Sequence, residues 1–116
     1  MNSTVATRIA AISGFTAVAL GAFGAHGLKA TLELHGTAAN WQTAALYHLV
    51  HSVVLLALSQ REIPPRTPIL LFTAGIAVFS GSLYVLAVTN IKVLGAITPI
   101  GGLCLLAGWV LLAFRR

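Results

Sequence analysis

The sequence predicts an all-α integral membrane protein, a four-helix bundle built from two transmembrane hairpins. Four uncharged apolar stretches are the first indication, and they cover residues 9–28, 41–59, 69–89 and 93–114. Each is about as long as the ~20 residues that a helix needs to cross a ~30 Å hydrocarbon layer. The composition is the second indication. With 58% apolar residues, 8% charged residues and a mean hydropathy of +0.93, the chain has too little polar surface to cover a soluble 12.1 kDa globule.

Helices rather than strands are expected in all four stretches. Backbone groups in lipid must be paired within a helix or a closed barrel, and these stretches lack the strict alternation of barrel strands. The only segment rich in helix breakers, Ile63-Pro64-Pro65-Arg66-Thr67-Pro68, separates the two hairpins. Since no linker or low-complexity segment is present, residues 1–116 are expected to form one domain.

The first stretch carries small residues at four-residue spacing. These are Ser13, Ala17, Gly21 and Ala25, with Gly14 and Gly24 close by. Such a face lets another helix approach closely, either in a dimer or inside one bundle. We favour packing inside the bundle, and the same interpretation covers Gly81 in the third stretch.

The connection from Lys29 to Asn40 is expected to contain a short interfacial helix over residues 29–35, ended by Gly36. Thr37 or Asn40 would then cap the second span. Trp41 and Trp109 lie near opposite span ends, where indole rings favour the headgroup boundary.

A polar stripe marks the second stretch and is expected to face the bundle interior. On a helical wheel one face holds Trp41, Ala44, Ala45, His48, His51, Ser52, Leu55 and Ser59. His26 and His48 are both expected in the outer half of the bilayer. We therefore predict a polar interior that also includes Tyr47 and Tyr84.

Two interpretations of these histidines remain open. His26, His48 and His51 could supply three nitrogens to a metal, or an opposed pair to a haem. Alternatively, all three are neutral and hydrogen-bond to carbonyls or hydroxyls, fixing the helix register. We favour the second, with no metal and no cofactor, because the only carboxylate nearby is Glu33 in a loop.

The fourth stretch contains a proline between glycines. Pro99 removes the hydrogen bond that would reach the Gly95 carbonyl, so a bend is expected between these two residues. A broken helix can coordinate an ion or substrate. We favour a packing kink satisfied by Thr98 or a neighbouring helix, with Gly95, Gly101 and Gly102 as packing positions.

Charge distribution predicts the topology. With four spans, one side holds Arg8, Arg61, Arg66, Arg115 and Arg116, and the other holds only Lys29 and Lys92. The positive-inside rule then places both termini in the cytoplasm. The basic residues form no helix face of the kind that binds nucleic acid, so nucleic acid is not an expected partner.

Catalytic groups are scarce. The chain has no Asp, its two Glu residues lie in loops, and no Lys or Arg lies within a stretch. Proton-coupled transport therefore lacks its usual intramembrane carboxylate, and no nucleophile with a base or phosphate-binding loop is evident. Cys104 is the only cysteine, which excludes an intramolecular disulfide. We predict that the protein is not an enzyme.

Several strings resemble the uncharacterised small membrane proteins of domain-of-unknown-function family 423. They are Gly21-Ala22-Phe23-Gly24-Ala25-His26-Gly27-Leu28-Lys29, Trp41-Gln42-Thr43-Ala44 continuing to Tyr47-His48 and His51, Phe79-Ser80-Gly81-Ser82-Leu83-Tyr84, Gly95 to Gly102, and Gly108-Trp109. The resemblance implies a multi-pass bacterial plasma-membrane protein and brings no activity, substrate or catalytic residues.

Our leading hypothesis is a structural or assembly partner that acts through lateral helix contacts. Its partners would be the lipid bilayer and another membrane protein or a second copy of this chain. The alternative is a small channel or transporter that uses the kinked fourth helix and the histidine stripe.

Overall fold

The computed structural model describes residues 1–114, so Arg115 and Arg116 and their predicted side of the membrane lie outside the described residues. Within this range all regular structure is helical. The α-helices are α1 Ser3–Ala25, α2 Lys29–His35, α3 Ala38–Ser59, α4 Arg66–Gly75, α5 Gly81–Thr89 and α6 Thr98–Phe114. A π-helical turn, Ile76–Ser80, joins α4 to α5, and a 3₁₀ segment, Lys92–Ala96, precedes α6.

Four of the resulting segments are long and apolar enough to cross a membrane, which confirms the predicted fold class. We call them span 1 (Ser3–Ala25), span 2 (Ala38–Ser59), span 3 (Arg66–Thr89) and span 4 (Lys92–Phe114). The molecule is 47 Å long and 26 by 17 Å across. Its length fits a bilayer of about 40–45 Å including the headgroup regions.

Span 1 begins before its apolar stretch. Asn2 caps α1, because its side-chain oxygen accepts hydrogen bonds from the backbone N–H groups of Thr4 (2.6 Å) and Val5 (3.3 Å). Arg8 therefore lies inside the second turn of the helix. Its exposed side chain can extend toward the membrane surface.

The short helix after span 1 forms as expected. α2 ends at Gly36, whose φ of 67° is a left-handed conformation that glycine adopts without cost. The expected cap of span 2 differs. Thr37 occupies the cap position, but its hydroxyl donates to the Ala87 carbonyl (2.7 Å) and makes no capping bond. His35 Nδ1 also contacts that carbonyl (3.1 Å), so α2 is fastened to the end of span 3.

The N-terminus and the turn between the hairpins share one end of the molecule. The Met1 amino group donates to the Pro64 carbonyl at 3.2 Å. An apolar cluster fills the bundle at this end, and its buried members are Ala6, Ala10, Leu55, Leu58, Ile69, Phe72, Ile76 and Leu105. A smaller cluster of Leu32, Trp41 and Ala87 lies beneath α2 at the opposite end.

Spans 2 and 3 form the centre of the bundle, with span 1 packed along span 2 and span 4 along span 3. In their most apolar windows, 39% and 44% of the residues of spans 2 and 3 are buried. The corresponding figure is 17% for both span 1 and span 4. The outer spans therefore expose most of their apolar surface.

The break in span 4 differs from the predicted bend. Gly95 belongs to the 3₁₀ segment, and Pro99 is the second residue of α6 rather than a kink inside a continuous helix. A proline in the first helical turn costs little, because its missing N–H would have no helical partner. Thr98, which opens α6, hydrogen-bonds with Ser82 of α5 (2.6 Å) and contacts the Leu94 carbonyl (3.5 Å).

Candidate functional site

The imidazole of His48 joins spans 1, 2 and 3 inside the bundle. Its Nε2 lies 3.1 Å from the Thr16 hydroxyl and its Nδ1 lies 2.9 Å from the Tyr84 hydroxyl. Thr16 donates its single hydroxyl proton to the carbonyl of Ile12 or Ser13. With that proton donated to a carbonyl, Thr16 accepts from Nε2–H. We therefore assign His48 as the neutral Nε2–H tautomer, with Nδ1 accepting from Tyr84.

A pair of serine hydroxyls extends this contact between spans 1 and 2. Ser52 Oγ donates to the His48 carbonyl (2.6 Å), which leaves Ser13 Oγ to donate to Ser52 Oγ (2.6 Å). Ser80, in the π-helical turn of span 3, donates to the Ala44 carbonyl (2.8 Å). These hydroxyl contacts connect span 2 to both of its neighbours.

His51 lies one turn further along span 2 and has the opposite tautomer. Its Nδ1 donates to the Tyr47 carbonyl at 2.8 Å, because a carbonyl can only accept. Its Nε2 then accepts from the indole N–H of Trp109 in span 4, at 3.1 Å. The Phe72 ring centroid is 5.5 Å from the imidazole, so the partners of His51 are mainly aromatic.

The remaining candidate polar residues lie elsewhere. His26 is exposed at the end of α1 and does not join the two buried histidines, because the helix stops at Ala25 and the chain turns outward. Tyr47 is 42% exposed and packs its ring against Phe79 at 4.7 Å. Pro99 is exposed. The expectation that His26 belongs to the polar interior is therefore wrong, and the three histidines do not converge.

The described part of the bundle contains no ready set of metal ligands. Within residues 1–114, no three His, Cys, Asp or Glu side chains lie close enough together to hold a metal ion. The lone pairs of His48 and His51 also accept hydrogen bonds from Tyr84 and Trp109. A metal would have to displace those donors.

Both tryptophans donate their indole N–H to an acceptor in the protein, and their depth at the headgroup boundary stays a prediction. Trp41 is buried (4% exposed) and donates to the Leu20 carbonyl of span 1 at 2.9 Å. Trp109 donates to His51. The donor roles of Trp41, Trp109 and Ser80 were not predicted from the sequence, although all three residues belong to strings that carry the family resemblance.

The glycines fall into three groups. At four glycines an added Cβ would overlap a residue of another span. The pairs are Gly24 with the Trp41 indole, Gly75 with Leu105, Gly101 with the Phe79 backbone and Gly108 with Phe72. Gly14, Gly95 and Gly102 leave ordinary contact distances of 3.6 to 4.0 Å for a Cβ. Gly21 and Gly81 leave open space. The predicted close packing at these last two is wrong.

Two cavities account for that open space. A lateral groove of about 450 Å³ between spans 1 and 3 is lined by Gly81, with His48 and Tyr84 at its floor. An interfacial pocket of about 240 Å³ lies among α1, α2 and α3, and Gly21 contributes to its wall. The exposed surface of the groove is mostly apolar, although His48, Tyr84 and four hydroxyl side chains line it and no charged residue does. Lys29, Glu33 and Gln42 line the pocket.

Comparison with known proteins gives one family. The profile of a family described as "Protein of unknown function (DUF423)" matches residues 20–102. The UPF0382 membrane protein SAB0533 of Staphylococcus aureus is 43% identical over 110 residues, which cover 90% of this chain and 88% of the relative. The corresponding protein YwdK of Bacillus subtilis is 42% identical, with 90% and 89% coverage.

A Gram-negative relative agrees with these matches. The UPF0382 inner membrane protein YgdD of Escherichia coli is 40% identical over 118 residues, covering 97% of this chain and 88% of the relative. None of these names carries an enzymatic activity. No solved structure matches the chain. The chain is therefore a membrane protein that belongs to the DUF423 family, whose function is unknown.

Proposed function

We propose that this protein is a non-enzymatic structural or assembly partner of another membrane protein, acting through lateral contacts of its outer helices. The observation that carries this proposal is the one-sided packing of spans 1 and 4, each with only 17% of its apolar window buried. A helix that packs on one side only has its other side free for a neighbouring helix.

The outward faces of these spans are apolar and continuous. On span 1, Phe15 (75% exposed), Ile12 and Val18 face outward, and on span 4 Leu103 (66% exposed), Leu106 and Ile100 do so. The polar side chains of the interior bond to one another or to backbone carbonyls. The surface that faces the bilayer is therefore better suited to packing against another helix than to catalysis.

The structure provides little support for a channel or transporter. That hypothesis needs freed backbone groups near Pro99 and an accessible histidine stripe. Pro99 lies in the first turn of α6, and the ring nitrogens of His48 and His51 all have protein partners.

We further propose that both termini face the cytoplasm of a bacterial plasma membrane. The N-terminus and the turn between the hairpins lie at one end, which carries Arg8, Arg61 and Arg66. Lys29 and Lys92 mark the other end. Cysteines introduced one at a time at Asn2 and Ala30 should react differently in intact cells. Only Ala30→Cys should label with an impermeant reagent, and labelling of Asn2→Cys would reverse the topology.

Site-specific photocrosslinking in living cells tests the proposed lateral contacts. A photoreactive residue at Phe15 or Leu103 should give one discrete protein adduct, and an adduct of twice the chain's mass would identify the partner as a second copy. Val53 on span 2 is the matched control, because it is 60% exposed but lies outside the two outer spans. Protein adducts at Val53 equal to those at Phe15 and Leu103, or lipid adducts alone at all three, would contradict the proposal.

A further inference from the structure

The interfacial pocket lies at the end of the bundle opposite the N-terminus. The end of α1 forms one wall, α2 covers the pocket, and the first two turns of α3 form the other wall. These are the end of span 1 and the start of span 2, so the pocket lies at the depth of the lipid headgroups. α2 cannot swing away freely, because His35 and Thr37 fasten its end to Ala87.

Gly21 keeps this pocket open. A Cβ at Gly21 would meet no atom within 4 Å, whereas one at Gly24, a single turn further on, would overlap the Trp41 indole. The small residue at Gly24 therefore serves helix packing, and the one at Gly21 does not. Its absent side chain leaves space beside Lys29 and Glu33.

The polar lining combines both signs of charge. Lys29 and Glu33 lie four residues apart and therefore on one face of α2, and both line the pocket together with the Gln42 amide. A purely anionic group would meet the Glu33 carboxylate, and a purely cationic group would meet the Lys29 ammonium. The lining is complementary to a zwitterion.

The volume limits the ligand's size. The cavity of about 240 Å³ has room for a small polar group such as phosphoethanolamine, which has about eight non-hydrogen atoms. Gly21 and Ala45 are the lining residues furthest from the ends of spans 1 and 2, so the side of the pocket nearest the hydrocarbon layer is apolar. An attached diacylglycerol could therefore remain in the bilayer.

We propose that the interfacial pocket binds the headgroup of a phosphatidylethanolamine molecule, with the phosphate at Lys29 and the ammonium at Glu33. Gln42 donates a further hydrogen bond to the phosphate. The lipid belongs to the leaflet at the α2 end of the molecule. This inference stands independently of the lateral contacts proposed for spans 1 and 4, because the pocket lies between span 1 and span 2.

Native mass spectrometry of the full chain tests this site. The protein is released from nanodiscs containing equal amounts of dioleoyl phosphatidylethanolamine and dioleoyl phosphatidylglycerol. We expect one phosphatidylethanolamine retained per wild-type chain and none on Gly21→Leu, whose side chain fills the pocket. Gly81→Leu is the matched control, because it fills the lateral groove instead and should retain the lipid.

The charged residues give a second measurement that does not depend on the pocket's space. Lys29→Gln and Glu33→Gln lie outside the spans, and each should lower the preference for phosphatidylethanolamine over phosphatidylglycerol roughly threefold, as expected for an exposed ion pair. Equal retention of the two lipids by the wild type would overturn the proposal. So would an unchanged preference in both charge variants, even if Gly21→Leu failed to fold.

Free phosphoethanolamine separates a lipid from a soluble ligand. It is added to protein in nanodiscs of phosphatidylglycerol alone, and the thermal unfolding temperature is measured. We expect no stabilisation comparable to that given by phosphatidylethanolamine, because the free compound lacks the membrane anchor that concentrates the headgroup at the pocket. Equal stabilisation would overturn the lipid assignment and make the ligand a soluble phosphate ester.

Discussion

The contact between spans 1 and 2 and the contact between spans 3 and 4 hold their helices together by different means. In the first, hydrogen bonds cross between helices, from Trp41 to the Leu20 carbonyl, from Ser13 to Ser52 and from His48 to Thr16. In the second, glycines allow close approach, with Gly75 against Leu105, Gly101 against Phe79 and Gly108 against Phe72.

The difference follows from the absence of a hydrophobic driving force between helices in lipid. Only packing and hydrogen bonding distinguish a neighbouring helix from an acyl chain. The two contacts combine them in different proportions, with Gly24 packed on Trp41 in the first and Ser82 hydrogen-bonded to Thr98 in the second. Added volume should therefore disrupt the contact between spans 3 and 4 most. Loss of hydrogen bonds should matter most between spans 1 and 2.

The largest effect is expected from Gly101→Ala. The added methyl group would overlap the Phe79 backbone, which cannot rotate away, so spans 3 and 4 would have to separate. We expect a loss of about 3 kcal/mol in the free energy of unfolding, measured by unfolding in mixed detergent micelles. Gly102→Ala is the control, since its Cβ would lie 3.7 Å from the Phe79 ring. Equal losses in the two variants would contradict the packing argument.

Gly24→Ala should have the next largest effect. Its Cβ would displace the Trp41 indole and disturb the hydrogen bond to the Leu20 carbonyl, at a cost of about 2 kcal/mol. Gly21→Ala, three residues earlier, enters open space and should cost nothing measurable, or stabilise the helix slightly by removing glycine's flexibility. If Gly21→Ala were the more harmful change, the assignment of the two glycines would be reversed.

His48→Leu tests the polar contact directly. The substitution leaves the Tyr84 hydroxyl without its acceptor, and we expect a loss of about 1–2 kcal/mol. His48→Gln retains a donor and an acceptor and should lose less. The comparison uses thermal unfolding in detergent. A Leu variant as stable as the Gln variant would show that the hydrogen bonds of His48 contribute little.

The smallest effects should come from single hydroxyl pairs. Ser13→Ala removes one contact between spans 1 and 2, and Thr98→Val removes one between spans 4 and 3. Each should cost about 0.6 kcal/mol, the average for such bonds between membrane helices. A double substitution of Ser13 and Ser52 that costs twice as much as either single one would indicate that the two residues act independently.

Helix number, the short helix α2 and the inward direction of the span 2 stripe could all be predicted, because hydropathy and helical periodicity report local properties. The glycines could not be ranked in the same way. Gly101 and Gly102 are neighbours of identical type, and only the position of Phe79 on another span distinguishes them. Spacing along one helix does not specify which partner faces it.

Three further features depended on tertiary structure. The sequence predicted His26 in the interior, but α1 ends one residue before it and its side chain is exposed. Trp109 has the position of a headgroup anchor, yet His51 supplies an acceptor inside the bundle. Ser80 lies in the π-helical turn at Ile76–Ser80, and only the position of the Ala44 carbonyl on span 2 shows what its hydroxyl binds.

The direction of the His48 hydrogen bonds has a consequence for an energised membrane. Tyr84 donates to His48, His48 donates to Thr16, and Thr16 donates to a backbone carbonyl. A carbonyl has no proton to pass on, so a proton entering this chain has no exit at its far end. In this assignment the polar side chains hold three helices together near the middle of span 2 without forming a continuous path for proton transfer.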